Sequence, residues 1–209
     1  MKLVPAVAER LYYGTVRPAV NVLVRAGIRP NTITSVGTAV VIASAVCYAS
    51  GSIRWGGALL LLSGVADTLD GQVARAGGLV TPFGAFYDST LDRVGDGATF
   101  IGIAIYLLSA PDVAWRELAV LTCMLAVLSS LLVSYARARA EGIGVDCKVG
   151  IAQRAERIVG LGVPSLLVGA GEGGVVLEFI VAALTLASIV TVVQRFVYVY
   201  RQTEGARAG

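Results

Sequence analysis

The sequence predicts an all-α polytopic membrane protein with six transmembrane helices, preceded by an amphipathic helix on the membrane surface. Of its 209 residues, 56% are hydrophobic and only 15% are charged, and the mean hydropathy is +0.76. This composition is typical of a chain that faces lipid rather than water. One bilayer crossing needs about 20 apolar residues. Six apolar segments run over residues 32–50, 56–75, 83–109, 117–139, 157–170 and 174–200. The fifth is short, so it either tilts or begins earlier.

The first 30 residues predict an amphipathic juxtamembrane helix. Apolar side chains recur there at roughly helical spacing, with basic residues between them, and this pattern favours the boundary between lipid and water. We expect this helix to be broken near Gly14 and Pro18. The predicted organisation is therefore a juxtamembrane helix over 1–30, a transmembrane domain over 31–200 and a cytoplasmic tail over 201–209.

The distribution of Lys and Arg predicts that both termini lie on the cytoplasmic side of the cell (inner) membrane. With that orientation, only Arg54 and Arg116 of the 17 basic residues fall in external loops, as the positive-inside rule requires. The basic cytoplasmic face suits phosphates and anionic lipid head groups. No soluble module is evident that would bind nucleic acid.

The residue types present limit the chemistry. The chain has no histidine, which excludes His general bases, His-ligated zinc and Ser-His-Asp catalysis. Cys47, Cys123 and Cys147 form no motif, and we expect no disulfide framework. Carboxylates must therefore carry any catalysis.

Four aspartates interrupt the second and third apolar segments, where a carboxylate is costly unless it faces a cavity, a partner or a metal. Asp67 and Asp70 are three residues apart, and Asp88 and Asp92 are four apart, so each pair shares one helix face. Residues 76–82 contain two glycines and a proline and predict a tight turn. We expect the two helices to be antiparallel neighbours, with the carboxylate pairs facing each other near the cytoplasmic end.

Converging carboxylates repel one another, and divalent cations remove that repulsion. Mg²⁺, Mn²⁺ and Ca²⁺ prefer such hard oxygen ligands. Two ions held by shared aspartates form the clamp that many enzymes use for phosphoryl transfer. Gly71 and Gly84 place no side chain beside the acids, which leaves room for a diphosphate.

A structural role for the acids is the alternative. A single intramembrane aspartate can pair with an arginine, and Arg75 and Arg93 are available partners. The paired spacing of four acids argues against this explanation for the whole group. Asp96, one turn beyond Asp92, is compatible with a functional role, with a structural hydrogen bond, or with a pair to Arg93 or Arg137.

The acidic stretch resembles the signature of the CDP-alcohol phosphotransferase family, D-x-x-D-G-x-x-A-R followed after a short spacer by G-x-x-x-D-x-x-x-D. Every fixed position is present, at Asp67, Asp70, Gly71, Ala74, Arg75, Gly84, Asp88 and Asp92. The family transfers a substituted phosphate from a CDP-linked donor to an alcohol and releases CMP. The resemblance implies a transferase of this kind, and also a homodimer.

The same resemblance implies roles for the acids. Asp67, Asp70 and Asp88 would hold two divalent cations, Mg²⁺ or Mn²⁺. Asp92 would also lie at the metals and act as the general base that takes the proton of the attacking hydroxyl.

The donor nucleotide is expected to lie beside the same motif. By the resemblance, Gly71 and Arg75 would line the CDP pocket, with Gly84 leaving space for the diphosphate. The family often carries a Pro-Asn pair before its first membrane helix, and Pro30 and Asn31 match it. Asn31 also suits the N-cap of that helix, and the two roles are compatible.

Basic residues beyond the motif predict a second anion pocket, for a phosphate on the acceptor alcohol. Their surroundings resemble those of prokaryotic phosphatidylinositol phosphate and archaetidylinositol phosphate synthases, which use inositol 1-phosphate. Gln153 and Arg137 replace the Glu and Lys usual in that pattern. The implied acceptor-phosphate residues are Ser134, Arg137, Arg157 and Arg195, with Arg154 behind them. Arg139 and Glu141 either pair with each other or face solvent.

Several alternatives stay open from the sequence. Glycerol 3-phosphate is the runner-up acceptor because it also carries a phosphate, whereas serine would not need several arginines. The donor lipid is CDP-diacylglycerol or CDP-archaeol. A divalent-cation transporter is a different class, but the arginines near the acids would repel a passing cation and no inverted repeat is visible.

Overall fold

The computed structural model describes residues 16–111 and 113–204, and over these ranges it is built of α-helices joined by short connections, without β-strands. A 3₁₀ turn over Glu172–Gly174 precedes the last helix. The helices are α1 Arg17–Arg25, α2 Pro30–Ala49, α3 Ile53–Ala76, α4 Pro82–Ser109, α5 Arg116–Glu141, α6 Arg154–Leu167 and α7 Val175–Thr203. The all-helical class predicted from the sequence is confirmed.

A helix lies on each of the six predicted apolar segments, and the fifth does begin earlier than 157, at Arg154. Within the described residues, three stretches are long and apolar enough to cross a membrane: Pro30–Ala49, Arg116–Glu141 and Glu172–Thr203. Helices α3 and α4 carry the aspartates and nearby arginines, which lower their hydropathy, and α6 has only 14 residues. By length and composition alone, the described residues contain three clear candidate spans, and the count of six stays a prediction.

Helix α1 covers part of the predicted amphipathic segment. Pro18 stands in its first turn, where proline is tolerated because the missing N–H would be unpaired there. The described helix begins at Arg17 and continues through this proline, which is its second residue. Val20 is buried, and α1 packs against α3. The predicted break near Gly14, like everything before residue 16, lies outside the described residues.

Helices α2 to α7 pack in a closed ring, in the order α2, α3, α6, α7, α5, α4 and back to α2. Small residues allow the closest approaches between helix backbones. A Cβ at Gly102 of α4 would lie 2.2 Å from the Ala45 carbonyl oxygen of α2, and one at Gly57 of α3 would lie 2.7 Å from the Gly162 oxygen of α6. The ring surrounds one apolar core, whose fully buried members include Tyr48, Ile103, Leu107, Leu177 and Val181.

The connection between α5 and α6 is fixed to α7. The buried Arg195 donates from Nε to the Val149 carbonyl oxygen at 3.0 Å, and the Ala152 N–H donates to Thr191 Oγ1 at 2.9 Å. Gly150 between them has φ 134° and lies directly against the Thr191 side chain, so a larger residue would not fit. These contacts determine where α6 begins, and its first residue is Arg154.

Candidate active site

The turn between α3 and α4 sets the entry of the second acidic helix. Gly78 adopts the left-handed conformation, with φ 65°, which favours glycine. Thr81 caps α4, because its hydroxyl oxygen accepts from the Gly84 N–H at 3.0 Å. Pro82 follows in the first turn of the helix, where its fixed φ is compatible with helical geometry.

The predicted packing of the two acidic helices is wrong in one respect. Helices α3 and α4 make little direct contact, and each packs against α2 instead. A close interface between them would bring four carboxylates together, and like charges repel each other. Helix α2 instead offers Asp70 of α3 a hydroxyl donor at Thr34 and approaches α4 closely at Gly102. The acids nevertheless face each other across the gap between α3 and α4, since one guanidinium contacts both Asp67 and Asp92.

A cavity of about 320 Å³ lies between α2, α3 and α4. It brings together all four residues predicted for the CDP pocket and two of the aspartates: Asn31, Gly71, Arg75, Gly84, Asp70 and Asp88. Asn31 lies inside the first turn of α2, whose N-cap is Arg29, so the alternative of an Asn31 cap is wrong. A Cβ at Gly84 would lie 3.4 Å from Asn31 Oδ1, which shows how the missing side chain keeps this space open.

Asp70 is held in a defined orientation by α2. The Thr34 hydroxyl, which is buried, donates to Asp70 Oδ2 at 2.7 Å, and Asp70 itself is only 4% exposed. Thr34 stands one helical turn after Pro30, so the first turns of α2 carry both the Pro-Asn pair and the residue that holds the Asp70 carboxylate. Sequence analysis missed Thr34. The signal that could have found it is its position one helical turn beyond the Pro-Asn pair.

The other acids are engaged by arginines from the start of α6. The Arg154 guanidinium pairs with Asp67, with Asp92 Oδ1 at 2.8 Å and with Asp96 Oδ1 at 3.6 Å. Its side chain is 21% exposed. The sequence ranked Arg154 behind the other arginines, but among them it makes the most ion pairs with aspartates in the described residues.

Asp96 has a structural partner. Arg157 Nη2 pairs with Asp96 Oδ2, and Arg157 Nη1 donates to the Ala152 carbonyl oxygen at 3.0 Å. Arg157 is 4% exposed. The predicted pairing of Asp96 with Arg93 or Arg137 is wrong. Arg93 donates to the Ser89 carbonyl oxygen instead. Neither Arg75 nor Arg93 forms an ion pair with an aspartate in the part of the chain that the structure describes.

The remaining predicted acceptor residues lie on α5 and α7. Arg137 pairs with Glu141 at 2.8 Å, so Glu141 is paired with this residue and not with Arg139. Arg195 donates to carbonyl oxygens of Val133 and Val149 and lies close enough to Arg137 and Arg157 to interact with them electrostatically. Ser134 is half-buried on α5 and directly follows Val133, whose carbonyl oxygen accepts from Arg195. Three helices therefore do bring arginines to the same end of the ring.

The donor set fits a hard divalent cation in chemistry, since it consists of aspartate carboxylates on facing helices. In the arrangement described for 16–111 and 113–204, however, no three Asp, Glu or Cys side chains are placed to hold a metal ion together. The positively charged Arg154 lies between Asp67 and Asp92. It supplies the positive charge that a cation would otherwise supply there.

Apolar helices around an acidic cavity flanked by arginines define a membrane transferase that handles phosphate groups. The chain belongs to the CDP-alcohol phosphatidyltransferase family, whose model matches residues 28–194. This membership confirms the family predicted from the motif at Asp67 to Asp92. It also sets aside the alternative of a cation transporter.

Two relatives show where in the family the chain lies. It is 41% identical to the archaetidylinositol phosphate synthase of Methanothermobacter thermautotrophicus, over 85% of this chain and 86% of the relative. It is 37% identical to the phosphatidylinositol phosphate synthase of Cutibacterium acnes, over 90% of this chain and 93% of the relative. The predicted subfamily resemblance is confirmed.

The fold is similar to that of a solved bacterial enzyme. The phosphatidylinositol phosphate synthase of Mycobacterium tuberculosis with CDP-DAG bound superposes with a TM-score of 0.77 and 30% identity, covering 89% of this chain and 94% of that one. The same enzyme in complex with manganese and citrate gives a TM-score of 0.76 and 30% identity, covering 88% of each chain.

Proposed function

We propose that the protein transfers a phosphatidyl group from CDP-diacylglycerol to a hydroxyl of inositol 1-phosphate, releasing CMP and forming phosphatidylinositol phosphate. The observation that carries this proposal is the convergence of two unlike regions. The cavity at Asp70 and Asp88 adjoins acids that α6 reaches with Arg154, and α5 and α7 add Arg137 and Arg195. The names of the two relatives and of the solved enzyme support this choice of substrates.

The donor nucleotide occupies the cavity between α2, α3 and α4. Asn31 contacts the nucleotide from α2, and Arg75 lies at the rim, where its charge suits a phosphate. Gly71 and Gly84 leave room for the diphosphate beside the carboxylates. The lipid chains then extend from the cavity toward the bilayer.

Asp67, Asp70, Asp88 and Asp92 would hold two divalent cations, Mg²⁺ or Mn²⁺, which would supply the positive charge that neutralises the diphosphate and the leaving CMP. The manganese complex of the solved relative supports this assignment. Thr34 orients Asp70 through its hydrogen bond of 2.7 Å.

Asp92 is the general base. Its carboxylate takes the proton of the attacking hydroxyl, whose oxygen forms a bond to the phosphorus that bears the lipid. The bond from that phosphorus to the CMP oxygen breaks, and CMP leaves with the electron pair. Asp92 lies on α4 facing Arg154, between the donor cavity and the arginines, which is where donor and acceptor would meet.

The acceptor phosphate is bound by arginines of three helices. Its donors are Ser134, Arg137, Arg154, Arg157 and Arg195. Arg157 and Arg195 donate to backbone carbonyl oxygens, so they contribute mainly fixed positive charge. Arg137 and Arg154 pair with carboxylate side chains, and they can turn toward a ligand.

The same proposal includes a topology. Six helices cross the cell (inner) membrane, with both termini and the active site on the cytoplasmic side, where most Lys and Arg residues lie. Residues 1–30 form the juxtamembrane helix, 31–200 the catalytic domain and 201–209 the tail. Two copies associate as a homodimer, and no nucleic acid is bound.

An archaeol-based donor is the second candidate, and one observation favours it. The relative with 41% identity is an archaetidylinositol phosphate synthase. The donor cavity contacts the nucleotide and diphosphate, which the two donors share, so the same site serves either. Glycerol 3-phosphate is the alternative acceptor, because the arginines recognise a phosphate and not the ring that carries it.

The test is CMP release by the purified protein with Mg²⁺ and CDP-diacylglycerol or CDP-archaeol. Inositol 1-phosphate, glycerol 3-phosphate, free inositol and serine are offered in parallel. We expect release with inositol 1-phosphate alone. Asp92→Asn should lower the rate about 10²- to 10⁴-fold, as loss of a general base does. Asp146→Asn, which removes an exposed carboxylate paired with Lys148, should leave it unchanged. Release with glycerol 3-phosphate alone would overturn the acceptor assignment, and release without any acceptor would overturn the transfer.

A further inference from the structure

The family motif over Asp67 to Asp92 does not account for the contacts that Arg154 makes. Its guanidinium contacts three carboxylates at once, on two helices: Asp67 of α3, and Asp92 and Asp96 of α4. Two of these are residues to which we assign a metal. A guanidinium and a divalent cation cannot both lie between Asp67 and Asp92, because they would repel each other at contact distance.

The two arginines of α6 differ in how firmly they are held. Arg157 is locked by Asp96 on one side and by the Ala152 carbonyl oxygen on the other. Arg154 stands at the first residue of the helix, and every ion pair it makes is with the acid cluster. Its side chain is 21% exposed, against 4% for Arg157. Of the two, Arg154 is therefore the side chain that can change position without loss of the fold.

Arg154 lies near the other basic groups of the site. Its guanidinium is beside the buried Gly95 of α4, where a Cβ would be 3.6 Å from Arg154 Nη2. Arg157 lies within electrostatic range of Arg154 and also of Arg195, which interacts with Arg137 as well. A phosphate near these groups would offer Arg154 an anion to replace the carboxylates.

We propose that Arg154 is an internal counter-ion that couples the divalent cation to the acceptor phosphate. Without the cation, Arg154 neutralises Asp67 and Asp92. When the cation binds, Arg154 leaves these carboxylates and binds the phosphate of the acceptor. Arg154 thus lowers the affinity of the protein for the cation when no phosphate is present. When a phosphate monoester binds Arg154, this competition ends and the affinity of the protein for the cation rises. This inference rests on the proposed function in two points: a divalent cation binds at Asp67 and Asp92, and the acceptor carries a phosphate.

The first test measures Mn²⁺ binding to the full-length protein in detergent by electron paramagnetic resonance, without donor or acceptor. Arg154→Gln should bind Mn²⁺ about tenfold more tightly than the unsubstituted protein, because a competing positive charge is gone. Arg154→Lys keeps the charge and should stay close to the unsubstituted value. Arg139→Gln removes an exposed arginine of α5 and is the matched control, with no change expected. Unchanged or weaker Mn²⁺ binding in Arg154→Gln would overturn the proposal.

The second test adds methyl phosphate, a monoester that any phosphorylated polyol shares. Mn²⁺ affinity of the unsubstituted protein should rise about threefold or more, and Arg154→Gln should show no rise. No rise in the unsubstituted protein would overturn the coupling, whether or not the variant folds. An equal rise in both proteins would mean that phosphate binds the metal directly, which also overturns it. Because no inositol phosphate or CDP-lipid is used, a wrong acceptor assignment would leave both results intact.

Discussion

The active site has two sides that are built differently. The open side comprises Asp70 and Asp88 and borders a cavity of about 320 Å³. The arginine side comprises Asp67, Asp92 and Asp96, all of them paired with arginines of α6. On the open side the acids have no arginine partner within 4 Å in the described residues, and Asp70 is held by a neutral hydroxyl.

The two sides thus accommodate carboxylates among apolar helices in two different ways. The open side leaves space for a ligand and keeps that space with glycines. The arginine side satisfies its acids internally, and a ligand must first displace a side chain. We infer that nucleotide recognition is the more preorganised of the two steps, while the acceptor side requires rearrangement.

The largest expected effect is on the open side. Asp70→Asn removes a proposed metal ligand but keeps the hydrogen bond to Thr34, so the fold should be preserved. A bound metal contributes several kcal/mol to transition-state stabilisation, so CMP release should fall by about 10³-fold. The measurement is CMP release together with thermal unfolding. Activity within tenfold of the unsubstituted protein would show that Asp70 holds no essential metal.

A substitution on the arginine side should lower the stability of the protein. Asp96→Asn leaves Arg157 buried without its charged partner, and breaking a buried pair costs about 3–5 kcal/mol. We expect a clear fall in the unfolding temperature of the detergent-solubilised protein. Asp146→Asn, on an exposed pair with Lys148, is the control, and its effect should lie within about 1 kcal/mol. An unchanged unfolding temperature with lost activity would instead place Asp96 among the residues that act on substrate.

The smallest effect concerns the space on the open side. A Cβ at Gly84 lies 3.0 Å from Thr81 Oγ1 and 3.4 Å from Asn31 Oδ1, so Gly84→Ala narrows the cavity by one methyl group. We expect the KM for the CDP-linked donor to rise several-fold, with about tenfold as the upper end. Gly97→Ala on the same helix meets nothing within 4 Å and should leave KM unchanged. Equal KM values for both variants would mean that the donor does not reach Gly84.

The open side could be predicted from the sequence because its residues lie within one local motif. The positions of Gly71, Arg75 and Gly84 relative to Asp70 and Asp88 follow from helical spacing and a short turn. All of them line one cavity.

The arginine side could not be predicted in the same way, since it depends on which helices become neighbours in the ring. The spacing of the motif suggested that α3 and α4 pack together, but α2 packs with both. The contact of Arg154 with Asp67 joins residues on α6 and α3, and nothing in the local pattern ranks it above Arg137 or Arg157. Thr34 was missed for the same reason, because its partner lies 36 residues away.

The contacts that fix the start of α6 have a consequence for biogenesis. Thr191 and Arg195, which hold the segment before Arg154, belong to α7, which is synthesised after α3, α4 and α6. The acidic helices α3 and α4 leave the ribosome well before it. Helix α7 thus supplies contacts that position the start of α6 and with it Arg154, the residue that pairs with the acids. A polypeptide released before residue 191 would lack these contacts, and we expect its acids to be without a positioned counter-charge.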